Sequence, residues 1–364
     1  MAGTSLAAVM TAPKTTELRE IPLPDPADDS GLLRVVANGI CGSDVNKYKS
    51  DKLAPAILGH EIVGYVEALG ATAKSRWGVK EGDYVALEEY LPCGHCAYCR
   101  SGEYRSCVET DIRTGGIRYG TTPLSVSPSL YGGHSRYLYL HPRTIFHKIP
   151  NGIAPHVAAM ALPLGNGFQW AYLDGEAGPE KTIVVVGPGQ QGFGSIVAAA
   201  AAGAQNVVIA GLSRHTERFE IAKKLGATHA IALDQGDPRE EIRRITGGKM
   251  ADTVIDVSSA GPEIINAGIA LLKKRGQMLC TAYKKTAAPL DIDRLIQNQA
   301  HLSGTRGHSF EAVEIALQTM KSGKFPLDLI STHVMGLNDV DHALRMVGGE
   351  LPEKSIHVTI EPWR

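Results

Sequence analysis

Hydrophobic and polar positions along this chain change rhythm near residue 150. Before that point, short apolar and mixed runs alternate with turn formers: "LLRVVANGI", "EIVGYVEALG", "GDYVALEEY" and "HSRYLYLHP". Runs of this kind, with β-branched and aromatic residues bounded by Gly, Asp and Pro, predict the strands of a small antiparallel, barrel-like domain. After that point, apolar strands and helical segments take turns. "TIVVVG" (182–187) is a continuous β-branched run of the type buried on both faces of a parallel sheet, and "SIVAAAAAGA" predicts an alanine-rich helix packed closely on it. The alternation continues through "NVVIAG", a helix over "HTERFEIAKKLGA", "HAIAL", "DTVIDVS", a helix over "EIINAGIALLKKRG", and "QMLCTAY". Such a succession predicts a doubly wound α/β domain. The tail "FEAVEIALQTMKSGKFPLDLISTHVMGLNDVDHALRMV" adds helices and a short strand and is expected to return to the first domain.

With 364 residues the chain exceeds what one hydrophobic core usually supports, so two domains are expected. A formal net charge of -1 supplies no global positive field to gather nucleic acid or anionic membrane, which leaves a small-molecule partner. The N-terminal stretch has no basic region followed by a long apolar one, and no run of about 18 apolar residues occurs. The expected location is the cytoplasm.

In that reducing compartment, closely spaced cysteines point to metal rather than disulfides. Four of the six, Cys93, Cys96, Cys99 and Cys107, fall in "CGHCAYCRSGEYRSC". A folded-back loop with this spacing presents four thiolates tetrahedrally, which saturates a zinc ion and leaves no position for substrate. Two disulfides or an iron–sulfur cluster are the alternatives; the compartment and the closed four-sulfur set favour structural zinc. His95 is then a bystander.

Chemistry has to come from elsewhere. Between the first parallel strand and its helix lies "GPGQQG", placing Gly187, Gly189 and Gly192 in a G-x-G-x-x-G arrangement with Gln190 and Gln191 inside it. Gly187 permits the tight turn, Gly189 lets the backbone approach a pyrophosphate, and Gly192 lets helix and strand pack closely, with the helix N-terminus facing the phosphates. The acidic residue that would accept from the adenosine ribose is missing at the end of the next strand, which reads Gly211, Leu212, Ser213, Arg214. Ser213 and Arg214 suit a 2'-phosphate, so NADP is favoured over NAD, although Arg214 also reads as a solvated surface charge. In the first domain, "GICGSDVNKY" carries Cys41, Ser43 and Asp44, and "LGHEIVG" carries His60 and Glu61. Thiolate, imidazole and carboxylate are zinc ligands, and an open position on such a site polarises an alcohol or carbonyl oxygen.

In this order, "CGSD", "GHE", the four-cysteine loop and G-x-G-x-x-G make the chain resemble the zinc-dependent alcohol dehydrogenases of the medium-chain dehydrogenase/reductase superfamily over nearly its whole length. The resemblance implies a GroES-like β-barrel catalytic domain split in sequence around a Rossmann domain, with the active site in the cleft between them. The expected boundaries are 1–160 for the catalytic domain with its zinc loop at 93–107, 161–300 for the dinucleotide-binding domain, and 301–364 for the return. Two zinc ions per chain, one structural and one catalytic, and a homodimer or homotetramer are also implied. Position by position, Cys41 and His60 become catalytic zinc ligands and Glu61 a ligand or close neighbour. Asp44 orients His60, and Ser43 bonds the substrate oxygen and begins a proton relay.

The sequence departs from that pattern twice. Asn46 stands where many relatives end the relay with a histidine, and it exchanges no proton near neutral pH. Leu162, in "MALPLGNGFQW", stands where many relatives supply a further Cys or Glu ligand; nearby Asn166 is a candidate contact for nicotinamide or substrate. The leading expectation is reversible hydride transfer between a nicotinamide cofactor and an alcohol, ketone or aldehyde. The alternative is NADPH-dependent reduction of an activated C=C bond with an impaired or absent catalytic zinc, and a nucleotide-binding protein without turnover comes last. Tyr119 and Tyr131 are candidate cleft residues, Arg113 and Arg118 candidate anion contacts, and Cys280 an inert core thiol.

Overall fold

The short runs of the first half form strands β1 (Thr4–Ala12), β2 (Thr15–Pro22), β3 (Gly31–Gly39), β4 (Ala56–Ile57), β5 (Glu61–Leu69), β6 (Tyr84–Leu87), β7 (Tyr137–Leu140) and β8 (Phe146–Lys148) in a computed structural model. It describes residues 3–364 apart from Leu53, Ile112 and Arg113, so the candidate anion contact Arg113 lies outside the described residues. The parallel strands follow as β9 (Thr182–Val186), β10 (Asn206–Gly211), β11 (His229–Ala232), β12 (Ala251–Asp256), β13 (Leu272–Cys280) and β14 (His301–Gly304). The chain ends with β15 (Ser331–Met335) and β16 (His357–Ile360). Two units result: Met1–Leu162 with Ser331–Arg364, and Pro163–Ile330.

In the first unit, β2, β1 and β4 form one antiparallel sheet, and a second runs β15-β16-β3-β5-β6-β8, with β7 also paired to β3. Alternation along β3, β5 and β6 turns Leu33, Val35, Ile62, Val66, Val85 and Leu87 into one core, which Leu138 and Leu140 of β7 complete. The β3/β5 register pairs Gly39 with Glu61, and β16 pairs Thr359 with the same Gly39. Two segments far apart in sequence are thereby brought beside Glu61.

Tyr119 and Tyr131, expected to line a cleft, belong to this core instead, at 0% and 3% exposure. The Tyr119 hydroxyl is spent on Thr144 at 2.6 Å and the Tyr139 carbonyl at 3.0 Å, which satisfies its polar end without any ligand.

The second unit is a six-stranded parallel sheet in the order β11-β10-β9-β12-β13-β14. Its apolar β9 is buried throughout, and helix Gln190–Ala201 lays Phe193, Ile196, Val197 and Ala198 onto the sheet. This unit extends to Ile330, past the expected boundary at 300. The reason is β14, which pairs in parallel with β13 from Gln277↔His301 to Cys280↔Gly304. The helix Phe310–Ser322 then buries Ala312, Val313, Ala316 and Leu317 before the chain leaves. The first boundary falls within helix Ala161–Gly167. The helix expected over "EIINAGIALLKKRG" stops at Ala270, and Leu272 already begins β13. Leu272 pairs with Ala251 and Gln277 with Thr253, so sheet pairing overrides the local helical pattern.

Candidate metal and nucleotide sites

Cys41 caps helix Gly42–Tyr48 in an extended conformation, and Glu61 opens β5 directly after His60. Gly59, at φ +90°, makes the turn that presents His60; a Cβ there would meet the Asn38 side chain at 2.5 Å. Gly39 has no Cβ, and that leaves room for the Glu61 carboxylate and the His357 ring, which a side chain at 39 would overlap. As a result, one donor atom from each of Cys41, His60 and Glu61 lies within 4.8 Å of the other two.

The groups behind them fix their orientation. Asp44, fully buried, accepts from His60 Nδ1 at 3.0 Å with one oxygen and from the Cys41 N–H at 3.0 Å with the other. This leaves His60 Nε2 as the free nitrogen, with Ser43 Oγ 3.5 Å away. Burial opposes the charge on Asp44, yet His60 and Lys47 outweigh it and hold the carboxyl well below its ordinary range. Burial likewise opposes protonation of His60, and Asp44 and Glu89 overcome it, so the metal-free ring is raised well above its ordinary value. A cation is what this arrangement of thiol, imidazole and carboxylates accommodates, in place of that proton. Glu61 itself accepts from His357 Nε2 at 3.3 Å, and both side chains are buried.

Leu162 is buried at 3% exposure and contributes no donor. Asn46 lies exposed on the helix that carries Ser43 and Asp44.

The cysteine loop forms a second convergent set. Sulfurs of Cys93 and Cys99 stand 3.9 Å apart, those of Cys96 and Cys99 3.5 Å, and all four cysteines are unpaired. Four thiolates on zinc, at about 2.3 Å from the metal, stand about 3.8 Å from one another, so the spacing fits the ion and excludes a disulfide. Backbone N–H groups reinforce it: Cys96 donates to Cys93 Sγ at 3.3 Å and Cys93 to Cys107 Sγ at 3.4 Å. Amide donors hold the Cys93 thiol down at about 6, while burial and neighbouring sulfurs push Cys99 up to about 12. Four adjacent sulfurs therefore do not all ionise unaided, which is the charge a dication compensates. His95 bonds the Cys93 carbonyl at 3.0 Å and is outside the set.

In the second unit, Gly187 takes φ +115° after β9, and Gly189 caps helix Gln190–Ala201. A Cβ at Gly192 would overlap the Gly187 carbonyl. Gln191 accepts from Asn166 Nδ2 at 3.2 Å, and Asn166 Oδ1 meets His308 Nδ1 at 2.8 Å. At the end of β10, a Cβ on Gly211 would crowd His215 Nδ1 and Pro188. Arg214 is exposed, whereas Ser213 is committed to a partner: its N–H and hydroxyl donate to Asp234 at 2.7 and 2.8 Å. Arg218 donates to the Pro188 carbonyl at 3.0 Å, placing a second cation by the glycine loop.

Sequence reasoning missed Asp234, Arg218, His357 and Glu89. Glu89 Oε2 stands 4.0 Å from His60 Nε2 and Oε1 3.9 Å from Arg118, beyond the end of β6. Burial raises its carboxyl and His60, Lys47 and Arg118 lower it, with lowering the net result. Two adjacent carboxylates, Glu88 and Glu89, directly after a buried strand were the available signal. Arg118 proves to be an internal cation, with Nε on the Thr110 carbonyl at 3.0 Å.

Comparison with known proteins agrees with this geometry. Residues 27–151 match the family model described as the alcohol dehydrogenase GroES-like domain, and residues 192–322 match that of the zinc-binding dehydrogenases. A probable alcohol dehydrogenase of Mycobacterium tuberculosis is 33% identical over 350 residues, 94% of each chain. An L-threonine 3-dehydrogenase of Bacillus velezensis is 31% identical over 332 residues, 89% of this chain and 90% of that one. An alcohol dehydrogenase structure from Thermotoga maritima superposes with a TM-score of 0.87 at 23% identity, covering 99% of both chains. The chain therefore belongs to the zinc-type alcohol dehydrogenases of the medium-chain superfamily, oxidoreductases that transfer hydride between a nicotinamide cofactor and an alcohol or carbonyl compound.

Proposed function

We propose that this enzyme is an NADP-preferring dehydrogenase of small alcohols, ketones or aldehydes. In this reading Cys41, His60 and Glu61 hold a catalytic zinc and Cys93, Cys96, Cys99 and Cys107 a structural one. The observation that carries it is the convergence of the Cys41, His60 and Glu61 donors within 4.8 Å, a three-ligand set complete without a donor at 162. Zinc held by Cys41, His60 and Glu61 would supply a Lewis acid for the substrate oxygen, and a bound nicotinamide would supply or accept the hydride. The protein's own residues do the rest. Asp44 holds the His60 tautomer and the Cys41 backbone, and His357 holds Glu61. Ser43, beside His60 Nε2, bonds the substrate oxygen and relays its proton, accepting it as the serine hydroxyl gives up its own proton to water. Asn46 does not carry that proton further, so it leaves through water.

For the cofactor, Gly187, Gly189, Gln190, Gln191 and Gly192 form the phosphate turn. Gly211, Arg214 and Arg218 make up the adenosine end, where arginine side chains favour a 2'-phosphate. Since Ser213 already serves Asp234, the preference rests on the arginines.

A homodimer or homotetramer fits β14 as the last strand of its sheet, together with the exposed apolar side chains of Tyr283, Ile292 and Ile296. Six unpaired cysteines suit the cytoplasm, and among the described residues no helix is long and apolar enough to cross a membrane. Initial rates on a panel of alcohols with each cofactor test the reading: turnover with a clear advantage for NADP is expected, and a strong advantage for NAD removes the 2'-phosphate assignment.

A further inference from the structure

We infer that Glu89 selects the substrate, its carboxylate accepting a hydrogen bond from a second donor, hydroxyl or ammonium, on the carbon beside the one oxidised. The inference rests on reading Cys41, His60 and Glu61 as the alcohol dehydrogenase centre.

Glu89 stands two residues past the end of β6, and the backbone N–H of Tyr119, a residue anchored in the barrel core, fixes it by donating to the Glu89 carbonyl at 2.9 Å. The side chain is 17% exposed, and Oε2 reaches to 4.0 Å from His60 Nε2. Asp44 occupies the other ring nitrogen, so Nε2 marks where the reacting oxygen is handled. Ser43 and Glu89 thus border one point, at 3.5 and 4.0 Å. Glu89 is not part of the convergent donor set. A catalytic zinc needs three protein ligands and an open position, which Cys41, His60 and Glu61 provide, whereas a further carboxylate would close it to substrate.

Arg118 approaches Glu89 only to 3.9 Å, longer than a hydrogen bond, with its Nε on Thr110. Tyr90 also bonds this carboxylate, but two ionised oxygens offer about four acceptor positions, so capacity remains for a substrate donor beside His60 Nε2. A substrate that is apolar beside its alcohol carbon strips water from this half-buried carboxylate and returns nothing. A neighbouring hydroxyl or ammonium replaces the lost water, and a donor bonded to a charged group is worth about 10- to 100-fold in affinity.

The test compares 2,3-butanediol, 3-amino-2-butanol and 2-butanol with the zinc-loaded enzyme and its preferred cofactor. The wild type is expected to favour the diol or the amino alcohol over 2-butanol by about 10- to 100-fold in kcat/KM. Glu89→Leu should bring that ratio close to one; an unchanged ratio overturns the inference. Glu89→Gln separates the two donors and serves where the leucine variant does not fold: its amide oxygen keeps part of the diol preference and loses the ammonium preference. Zinc content is read alongside, because a fall from two ions to one in Glu89→Leu makes Glu89 a metal ligand and overturns the selective role. Calorimetry of 2,3-butanediol on the enzyme with oxidised cofactor gives a reading independent of turnover. At least tenfold weaker binding by Glu89→Leu supports the inference, and equal binding overturns it. Should no alcohol be oxidised while binding still depends on Glu89, the dehydrogenase reading of the site fails and the recognition role stands.

Discussion

Replacing Asp44 by Asn probes the proposed metal centre through a residue that is not one of its proposed ligands. The Asp44 carboxylate is fully buried and accepts two N–H groups, from His60 Nδ1 and from the Cys41 backbone, each at 3.0 Å. An amide of the same shape keeps one acceptor and turns the other into a donor. Whichever way it is turned, one of the two N–H groups then faces a donor, and both belong to proposed ligands. A buried donor stripped of its acceptor costs about 1–3 kcal/mol, or about 5- to 150-fold at 1.4 kcal/mol per decade. Groups that orient a ligating histidine are independently worth about 10- to 100-fold in metal affinity, so the two scales agree. Competition with a zinc chelator at fixed pH provides the assay. The Cys41 site of Asp44→Asn should bind zinc about 10- to 100-fold more weakly, while the four-cysteine site keeps its affinity. Equal affinity at both sites would refute the assigned role of Asp44, and weakening at both would show global damage instead.

Three further outcomes follow from other parts of the structure. Tyr104 donates to the fully buried Glu88 at 2.5 Å, tying the four-cysteine loop to the barrel, where His147 also meets Glu88 at 3.2 Å; Tyr104→Phe should lower stability in urea unfolding by about 1–3 kcal/mol. An unchanged midpoint would contradict it. His134 is fully buried and burial pushes it down to about 4. The native ring stays neutral while the unfolded chain takes up a proton below about 6.5, so stability is full above that pH and falls as pH drops from 6.5 towards 4. The loss is roughly 3 kcal/mol, and the difference between wild type and His134→Gln in acid titrations should show it. Arg214→Ala should weaken NADP binding by about 10-fold or more and leave NAD binding nearly as it was, read by cofactor fluorescence titration.

Much of this architecture was readable because its signals are local. The β-branched run of β9, the glycine turn after it and the alanine-rich helix are contiguous, so one stretch carries strand, phosphate turn and helix together. Cys93 to Cys107 likewise close a short loop, and spacing alone specifies the geometry. Long-range pairing was not readable. His357 reaches Glu61 only because β16 joins β3, and no periodicity announces that a residue near the C-terminus supports one at the start of β5. Asp234 reaches Ser213 because β11 lies beside β10, a fact of sheet order rather than of either segment. The late boundary at Ile330 has the same origin, since β14 is short and mixed in pattern and is held by its pairing with β13. Tyr119 misled for a different reason: an aromatic ring in a loop is equally suited to a pocket wall and to a core, and burial decided for the core.

The central claim is that Cys41, His60 and Glu61 hold a metal despite Leu162. Its most direct measurement is zinc per chain by elemental analysis, on the intact protein and on Cys41→Ser side by side. The account predicts about two ions falling to about one in the variant. About one ion in both would leave only the cysteine loop metallated, contradict the catalytic centre described above, and turn the search for activity towards metal-free reduction of activated double bonds.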